Sequence, residues 1–296
     1  MAFRHRRPCS LLLVLVPLLA LAVGSVADGL GDVTVFWGRN KDEGTLREAC
    51  DTGAYTTVLI SFLRTFGHGR YSLDLSGHPL AGVGDDIKHC QSKGILVLLS
   101  IGGPGYGGGS YSLPSAQSAA DVAAYLWDAY LGGNSNTGVR RPFGDAALDG
   151  VDFYIDQGGA AHYDELAKLL YAYNKNYRGR LGVTLTATVR CAYRDPRMAA
   201  ALATGLFSRV HVRLYGGDAR CTDSGRYAME KWAAEYPGSR VFVGVSAEDK
   251  HGDTSTGDLK DLYYGILQFV EKLPNYGGLM IWNRYYDKKN HFISQS

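Results

Sequence analysis

Three acidic residues and one tyrosine stand close together in the run Asp-Gly-Val-Asp-Phe-Tyr-Ile-Asp-Gln at residues 149–157. Successive side chains of a β-strand point to opposite faces, so Asp152, Tyr154 and Asp156 would share one face of a sheet. Carboxylates gathered on one face are the groups that general acid–base catalysis uses, and Tyr154 interrupts them. With Asp149 at its start, the run predicts a strand that carries either an altered set of catalytic acids or polar residues that hydrogen bonds satisfy in an interior.

The elements that must position this strand recur regularly along the chain. Eight short β-rich runs are expected at 33–37, 57–62, 95–101, 150–155, 183–189, 210–215, 240–245 and 278–282. Helix-like stretches separate them, for example at 116–130 and 163–173, where apolar residues recur at helical spacing. Eight such units, with no Gly-x-Gly-x-x-Gly after the first strand, predict an α/β protein with a single (β/α)8 TIM barrel.

The carboxyl ends of the strands line the functional cleft in such a barrel. Arg190 follows the fifth predicted strand, and Tyr215 and Trp282 end the sixth and the eighth, so the three would surround Asp156. The complete set of expected cleft residues beside the acidic strand is Phe36, Arg39, Arg190, Arg213, Tyr215 and Trp282. Trp37 is expected in the core or in the cleft wall.

The N-terminal segment has the features of a secretory signal. Residues 1–27 begin with three arginines, continue with an apolar run at 11–23 and end with small residues before Asp28. The apolar run of about 13 residues is too short to cross a bilayer. Residues 28–296 would then form the barrel, and loss of three arginines changes the formal charge from +2 to −1. A net charge this close to zero favours neither a nucleic acid nor a membrane surface as partner.

Four of the five cysteines lie in the barrel part of the chain, namely Cys50, Cys90, Cys191 and Cys221. An even number in a secreted protein favours disulfides, and their spacing fits no zinc pattern. Three pairings are open, and proximity along the chain favours Cys50 with Cys90 and Cys191 with Cys221. We expect no metal ion and no cofactor.

Four motifs, taken together, resemble the class III chitinases of glycoside hydrolase family 18. They are Val-Phe-Trp-Gly-Arg-Asn at 35–40, Leu-Ser-Ile-Gly-Gly at 99–103, the acidic strand at 149–157, and Met-Ile-Trp-Asn-Arg-Tyr-Tyr-Asp at 280–287. The resemblance implies that the last acid of the strand protonates the leaving sugar oxygen, and that an aspartate before it holds the substrate acetamide. In this chain Asp156 stands where that family has glutamate, and Tyr154 stands where it has the positioning aspartate.

Further strings resemble the cereal xylanase inhibitor proteins within that family. They are Leu-Thr-Ala-Thr-Val-Arg-Cys at 185–191, Ala-Leu-Ala-Thr-Gly-Leu-Phe at 201–207, Arg-Val-His-Val-Arg at 209–213, Ala-Glu-Asp-Lys at 247–250 and Asn-Tyr-Gly-Gly at 275–278. This resemblance implies a barrel that binds microbial xylanases and has no chitinase activity.

The substitutions in the acidic strand agree with a lost hydrolase activity. Aspartate at 156 withdraws the carboxyl group by about 1.5 Å, and a displacement near 1 Å can cost on the order of a hundredfold in rate. Tyr154 removes a negative charge and adds bulk. Arg213 stands where such chitinases have a neutral side chain, so we expect it to form an ion pair with Asp156 or Asp152.

Two basic segments are candidates for contact with a xylanase, whose two catalytic carboxylates a cation could block. The resemblance implies that the loop with Arg178 and Arg180, between the fourth helix and the fifth strand, matches the loop by which related inhibitors block family 11 xylanases. A solvated turn with cations at a helix end is its alternative interpretation. Lys250 lies in the region by which relatives engage family 10 xylanases, but Asp253 and Asp258 make that stretch unexpectedly acidic.

The sequence therefore predicts a secreted, monomeric, catalytically inactive barrel that inhibits microbial, in particular fungal, endo-1,4-β-xylanases in plant defence, with family 11 as the first candidate target and family 10 as the second. Its expected location is the apoplast or the cell wall. The first alternative is a lectin-like protein that binds chitin oligosaccharides, or a storage protein, with weak carbohydrate binding in the cleft. The second alternative is residual chitinase activity through Asp156.

Overall fold

The computed structural model describes residues 30–105, 110–133, 137–175, 182–216, 225–248 and 262–294. Within these residues the strands are β1 Asp32–Trp37, β2 Thr57–Phe66, β3 Ser72–Leu73, β4 Leu96–Gly103, β5 Ser110–Tyr111, β6 Gly150–Ile155, β7 Thr184–Arg190, β8 Arg209–Arg213, β9 Arg240–Ser246 and β10 Tyr276–Trp282. Eight of them pair side by side in the order β1, β10, β9, β8, β7, β6, β4 and β2, and β2 pairs with β1 in turn. All these pairs are parallel, so the prediction of a (β/α)8 barrel is confirmed.

Helices cover the outside of the barrel. The α-helices are Leu46–Asp51, Val83–Ser92, Ala116–Tyr130, Tyr163–Ala172, Ala199–Leu202, Gly225–Glu235, Gln268–Val270 and Arg284–Asn290. Shorter helical turns of 3₁₀ type lie at Lys41–Glu43 and Tyr173–Lys175, and a π-helical turn lies at Tyr263–Leu267. Within the described residues, no helix is long and apolar enough to span a membrane.

The observed strand ends differ from the predicted ones by up to four residues, and two of these differences change which residues lie in a strand near the cleft. β2 continues to Phe66 rather than stopping at 62, because its last residues pair with β3 and β5. β8 stops at Arg213 rather than at 215, because its ladders with both neighbouring strands end there. Tyr215 therefore lies on the loop that follows β8 and not in the strand.

Alternate side chains of β6 serve two separate apolar cores. Phe153 and Ile155 pack in the layer between the strands and the helices. Tyr154 points inward and packs with a small cluster inside the barrel that includes Phe36 and Phe242. The predicted alternation along the acidic strand is therefore confirmed, and Tyr154 faces the barrel interior.

A disulfide links two neighbouring helices of the outer layer. Cys50 in the helix Leu46–Asp51 is bonded to Cys90 in the helix Val83–Ser92, as expected. Cys191 is also disulfide-bonded. Cys221, its expected partner, lies outside the described residues, as do residues 1–27.

The last segment of the chain closes the barrel. β10 inserts between β9 and β1, and Gly278 adopts a positive φ where a Cβ would collide with the carbonyl oxygen of Asp32. After the helix Arg284–Asn290, the carboxylate of buried Asp287 accepts the backbone N–H groups of Ile293 at 2.7 Å and Ser294 at 3.2 Å. The end of the described chain is thus tied to the helix that follows β10.

Candidate functional site

Asp152 lies fully buried inside the barrel and is surrounded by hydroxyl groups. Its carboxylate accepts hydrogen bonds from Ser100 Oγ at 2.7 Å and Thr186 Oγ1 at 2.7 Å, and both of its oxygens accept from Thr188 Oγ1 at 3.1 Å. The strand register produces this arrangement, because Asp152 is the register partner of Ser100 on β4 and of Thr186 on β7. Its lone pairs are taken by the barrel's own hydroxyls, so the structure places Asp152 in an interior polar layer.

His211 on β8 completes this layer. Its Nδ1 lies 3.5 Å from Asp152 Oδ1 and 3.3 Å from Thr188 Oγ1. Burial lowers the pKa of His211, and the neighbouring Asp152 carboxylate only partly opposes this shift. The ring is therefore neutral at neutral pH. Its Nε2 has no hydrogen-bond partner in the part of the chain that the structure describes.

Asp149, the first acid of the run, faces the helices and not the cleft. Its Oδ2 accepts the backbone N–H of Val97 at 2.9 Å and the amide of Gln91 at 3.1 Å. Val97 belongs to β4 and Gln91 to the helix Val83–Ser92. The carboxylate of Asp149 therefore joins a strand to a helix below the cleft.

Asp156 is held by two arginines at the carboxyl end of β6. Its Oδ1 accepts from Arg190 Nε at 2.7 Å and from Arg213 Nη2 at 3.0 Å. Arg213 also donates from Nη1 to the hydroxyl of Tyr154 at 2.5 Å and lies over the tyrosine ring, with Cζ 4.3 Å from the centroid. Of the two ion-pair partners left open for Arg213, the structure selects Asp156. Arg190 and Arg213 are called the arginine pair below.

The arginine pair determines the ionisation of Asp156. Burial by itself would raise the pKa of this carboxyl group, but Arg213 and then Arg190 hold the pKa below its ordinary value. Burial would lower the pKa of Arg213, yet Tyr154 and Asp156 raise it above its ordinary value. Both groups are charged at neutral and mildly acidic pH, so Asp156 carries no proton to donate there.

Four aromatic side chains border this ion cluster and form what we call the aromatic wall: Phe36, Tyr154, Tyr215 and Trp282. Trp282 packs edge-on against Phe36 with centroids 5.1 Å apart, and it stacks with Tyr215 at 6.2 Å and an interplanar angle of 26°. Phe36 and Tyr154 are buried, whereas Tyr215 and Trp282 are partly exposed. The cleft therefore has two partly exposed aromatic rings beside a cationic group.

Comparison with known proteins identifies the family to which the chain belongs. The sequence profile described as glycosyl hydrolases family 18 matches residues 32–261. The chain belongs to this family.

The relatives of this family 18 chain include inhibitor proteins as well as acidic endochitinases. Xylanase inhibitor protein 2 of rice, Oryza sativa subsp. japonica, is 62% identical over 272 residues, which are 92% of this chain and 91% of the rice protein. Xylanase inhibitor protein 1 of wheat, Triticum aestivum, is 50% identical over 300 residues, which are 98% and 96% of the two chains. The crystal structure of the xylanase and alpha-amylase inhibitor protein from Scadoxus multiflorus matches with a TM-score of 0.80 at 35% identity, covering 89% of this chain and 97% of that one. Within family 18, the chain therefore groups with the xylanase inhibitor proteins.

Arg39 lies apart from the arginine pair of this family 18 barrel. Its Nη1 donates to the carbonyl oxygens of Ser61 at 3.3 Å and Asp74 at 3.2 Å, and its guanidinium lies over the Phe62 ring at 5.3 Å. The carboxylate of Asp74 pairs with Arg39 at 3.7 Å and with Arg64 at 2.8 Å. Arg39 thus braces the β1 and β2 side of the cleft. Trp37 lies in the outer core, as expected.

Sequence reasoning missed Tyr111 on β5. Its hydroxyl donates to the carbonyl oxygen of Gly103 at 2.7 Å and accepts the backbone N–H of Asp156 at 3.1 Å. Tyr111 therefore fixes the backbone from which the Asp156 side chain extends. β5 is two residues long, so no periodic pattern in the sequence could have indicated it.

The remaining site predictions concern residues that the structure does not describe. Arg178 and Arg180 lie within 176–181, and Lys250 lies within 249–261, both outside the described ranges. Among the described residues, no group of three or more histidine, cysteine or acidic side chains is arranged to hold a metal ion.

Proposed function

We propose that this protein is a non-catalytic family 18 barrel that inhibits microbial endo-1,4-β-xylanases. The observation that carries the proposal is the ion cluster: the acid at the proton-donor position of the family, Asp156, is shared by Arg190 and Arg213. A carboxylate held in this way binds the barrel's own cations and does not protonate a leaving group. The scaffold is kept while the chemistry is lost, which is what an inhibitor built on an enzyme fold requires.

Two further features oppose hydrolysis. Substrate-assisted cleavage uses the acetamide of the sugar as nucleophile, which requires an acid and a carboxylate that positions the acetamide. Tyr154 occupies the place of that carboxylate and is itself buried against Arg213. The shorter side chain of Asp156 would also hold its carboxyl group further from the glycosidic oxygen than glutamate would.

The names of the relatives support a xylanase as partner. The rice and wheat relatives are named xylanase inhibitor proteins, and each matches this chain over more than nine tenths of its length. We propose that Arg178 or Arg180 enters the cleft of family 11 xylanases, and that Lys250 contacts family 10 xylanases. Delivery of a cation between two catalytic carboxylates would neutralise both and exclude the substrate.

Inhibition can be tested by titrating the protein against purified fungal xylanases of families 10 and 11. We expect inhibition at micromolar concentration or below. Arg178→Ala or Arg180→Ala should weaken inhibition of the family 11 enzyme by at least about tenfold, because loss of a buried interfacial charge pair costs about 2–5 kcal/mol. Lys250→Ala should have the corresponding effect on the family 10 enzyme.

Arg194→Ala is the matched control, since this exposed arginine pairs with Glu235 at 2.9 Å and is not among the proposed contacts. It should leave both inhibition constants unchanged. Absence of inhibition at micromolar protein would exclude the proposed function. Unchanged inhibition by all three contact variants would leave the function standing but reject the proposed residues.

Restoring the two substituted acids should not restore a chitinase. The Tyr154→Asp and Asp156→Glu double variant is expected to stay close to background on chitin oligosaccharides, because Arg213 would still pair with the new glutamate. Adding Arg213→Gln should raise the rate above that of the double variant, since it removes the buried arginine that lowers the pKa of the acid most and leaves only the half-exposed Arg190 as partner. Hydrolysis of a fluorogenic chitobioside measures both rates. A double variant with ordinary chitinase turnover would show that Arg213 does not block the site.

A lectin-like or storage protein is the second candidate function. The partly exposed stack of Tyr215 and Trp282 favours it, because aromatic faces are common platforms for sugar rings. Calorimetry with chitin oligosaccharides discriminates between the candidates. Heat of binding without any xylanase inhibition would favour the lectin.

The remaining proposals concern context. Residues 1–27 are proposed to be a signal peptide and 28–296 the mature barrel, secreted to the apoplast or the cell wall, where the protein acts in plant defence. The disulfides support an oxidising environment. We propose that the protein acts as a monomer on fungal enzymes, and that neither nucleic acid nor membrane is its partner.

A further inference from the structure

We propose that the cleft of this barrel binds acidic sugars, namely uronic acid residues of oligosaccharides, through Arg190 and the exposed face of the aromatic wall. This site uses none of the residues proposed to contact a xylanase, and it goes beyond the inhibitor function. Its ligand would also differ in charge from the neutral acetamido sugars of the chitinase relatives.

The first argument is charge. Arg190 and Arg213 both bind the same oxygen, Oδ1, of Asp156, so one carboxylate faces two guanidinium groups and the cluster carries a net positive charge. Asp152, the preceding inward acid, is bound by hydroxyls and His211, and no arginine contacts it within the described part of the chain. Asp195 accepts the backbone N–H of Arg190 and not its guanidinium. One cationic charge at the cleft therefore lacks a counter-ion in these parts of the molecule.

The second argument is accessibility. The side chain of Arg190 is 45% exposed, whereas Asp156 is 12% and Arg213 8% exposed. Arg190 uses Nε and Nη2 to bind the carboxylate and the carbonyl oxygen of Asp156. Its Nη1 has no hydrogen-bond partner among the residues that the structure describes. The unbalanced charge is thus presented to solvent by a side chain whose position is already fixed.

The third argument is the connection between this cation and an aromatic surface. Arg213 lies over Tyr154, and the Tyr154 ring lies 6.1 Å from that of Trp282. Trp282 in turn stacks with Tyr215, and both rings are partly exposed. A continuous series of contacts therefore leads from the arginine pair to two partly exposed aromatic rings, against which a pyranose ring could pack.

These features together select the ligand class. A uronic acid combines a pyranose ring, which packs on an aromatic face, with a carboxylate that a planar guanidinium binds through directed hydrogen bonds. Such a carboxylate is ionised above about pH 4, as an ordinary carboxyl group is. A neutral sugar offers the ring without the charge, and a simple anion offers the charge without the ring. Both should bind more weakly.

Calorimetry on the full-length mature protein tests the proposal with a matched pair of ligands. Glucuronosyl-xylotriose should bind at least about tenfold more tightly than neutral xylotetraose, because a hydrogen-bonded charge contributes more than a neutral contact. A second pair of ligands, tetragalacturonate and a neutral galactose tetramer, is compared for affinity in the same way. Tighter binding of either acidic ligand than of its neutral counterpart supports the proposal, and the tighter of the two acidic ligands identifies the source of the uronate.

Variants of Arg190 separate this site from non-specific attraction. Arg190→Ala should abolish the preference for the acidic ligand, and Arg190→Lys should retain only part of it, because lysine keeps the charge but loses the planar fork. Arg194→Ala, outside the cleft, should change nothing. Thermal melts confirm that each variant is folded, which is expected since Arg190 is half exposed.

Three results would overturn the proposal. They are equal affinity for acidic and neutral oligosaccharides, an unchanged preference in Arg190→Ala, and competition by acetate or sulfate at the same concentration as the uronate. The last would identify the site as a simple anion site. Each of these results is independent of xylanase inhibition, which the same preparations can be tested for.

Discussion

Replacing Asp156 by alanine is expected to lower the melting temperature of the protein by about 6–12 °C, corresponding to about 3 kcal/mol of stability. The reason is that Arg213 is almost completely buried and would lose the carboxylate that balances its charge. It would keep its bonds to the Tyr154 hydroxyl and to the carbonyl oxygen of Val189, which do not neutralise it. Differential scanning calorimetry at neutral pH measures the effect.

The double variant Asp156→Ala with Arg213→Met is the control. It removes both charges and should recover much of the loss, since a buried ion pair can often be replaced by apolar groups at little cost. If Asp156→Ala alone melts within about 1 °C of the parent protein, Arg213 does not depend on Asp156, and the ion cluster is not a structural unit.

Acidification should reveal the same cluster. The pKa of Asp156 lies below the value of an unfolded chain, so its ion pairs contribute fully above about pH 4 and are lost as the pH falls through the folded pKa. The Asp156→Asn variant should therefore lose less stability than the parent protein over this acidic range.

Removal of the Cys50–Cys90 disulfide should have an effect at least as large. The two residues are separated by 40 positions, and the chain-entropy estimate for such a loop is about 4 kcal/mol. The Cys50→Ala and Cys90→Ala double variant should accordingly melt about 8–16 °C lower. Both cysteines are buried at the contact of two short helices, so alanine leaves no exposed thiol and only a small gap.

Denaturation of the disulfide variant in guanidinium chloride gives the free energy directly. Cys50→Ser with Cys90→Ser should be less stable still, because it leaves two hydroxyls in an apolar contact. A loss below about 1 kcal/mol for the alanine variant would mean that helix packing alone holds this part of the barrel, contrary to the entropy argument.

The sequence predicts the barrel well because each strand and helix is indicated by the spacing of apolar residues within a short segment. The alternation in β6 could be derived from residue spacing alone, and the structure confirms it through Phe153 outside and Tyr154 inside. The barrel followed from counting strand and helix units. The extension of β2 to Phe66 was missed because it depends on pairing with β3 and β5, which are too short to have a pattern.

The candidate site was predicted only in part because its contacts connect distant strands. Sequence reasoning placed Arg190, Arg213 and Asp156 at the same end of the barrel but left Asp152 open as the partner of Arg213. Arg213 pairs with Asp156 because the Asp152 carboxylate already accepts hydrogen bonds from the hydroxyls of Ser100 and Thr186, which lie on two other strands. The role of Tyr111 depends likewise on β5, a two-residue strand paired with β2, from which the Tyr111 hydroxyl reaches the backbone of Asp156.

The closing position of β10 has a consequence for how the chain reaches its native state during synthesis. Of the described barrel strands the ribosome makes this one last, yet it is the one that joins β9 to β1. Until it emerges, both of those strands expose an unpaired edge, which is a template for pairing with other chains. In a nascent molecule these two edges therefore stay open until β10 is available, however early the first seven barrel strands form.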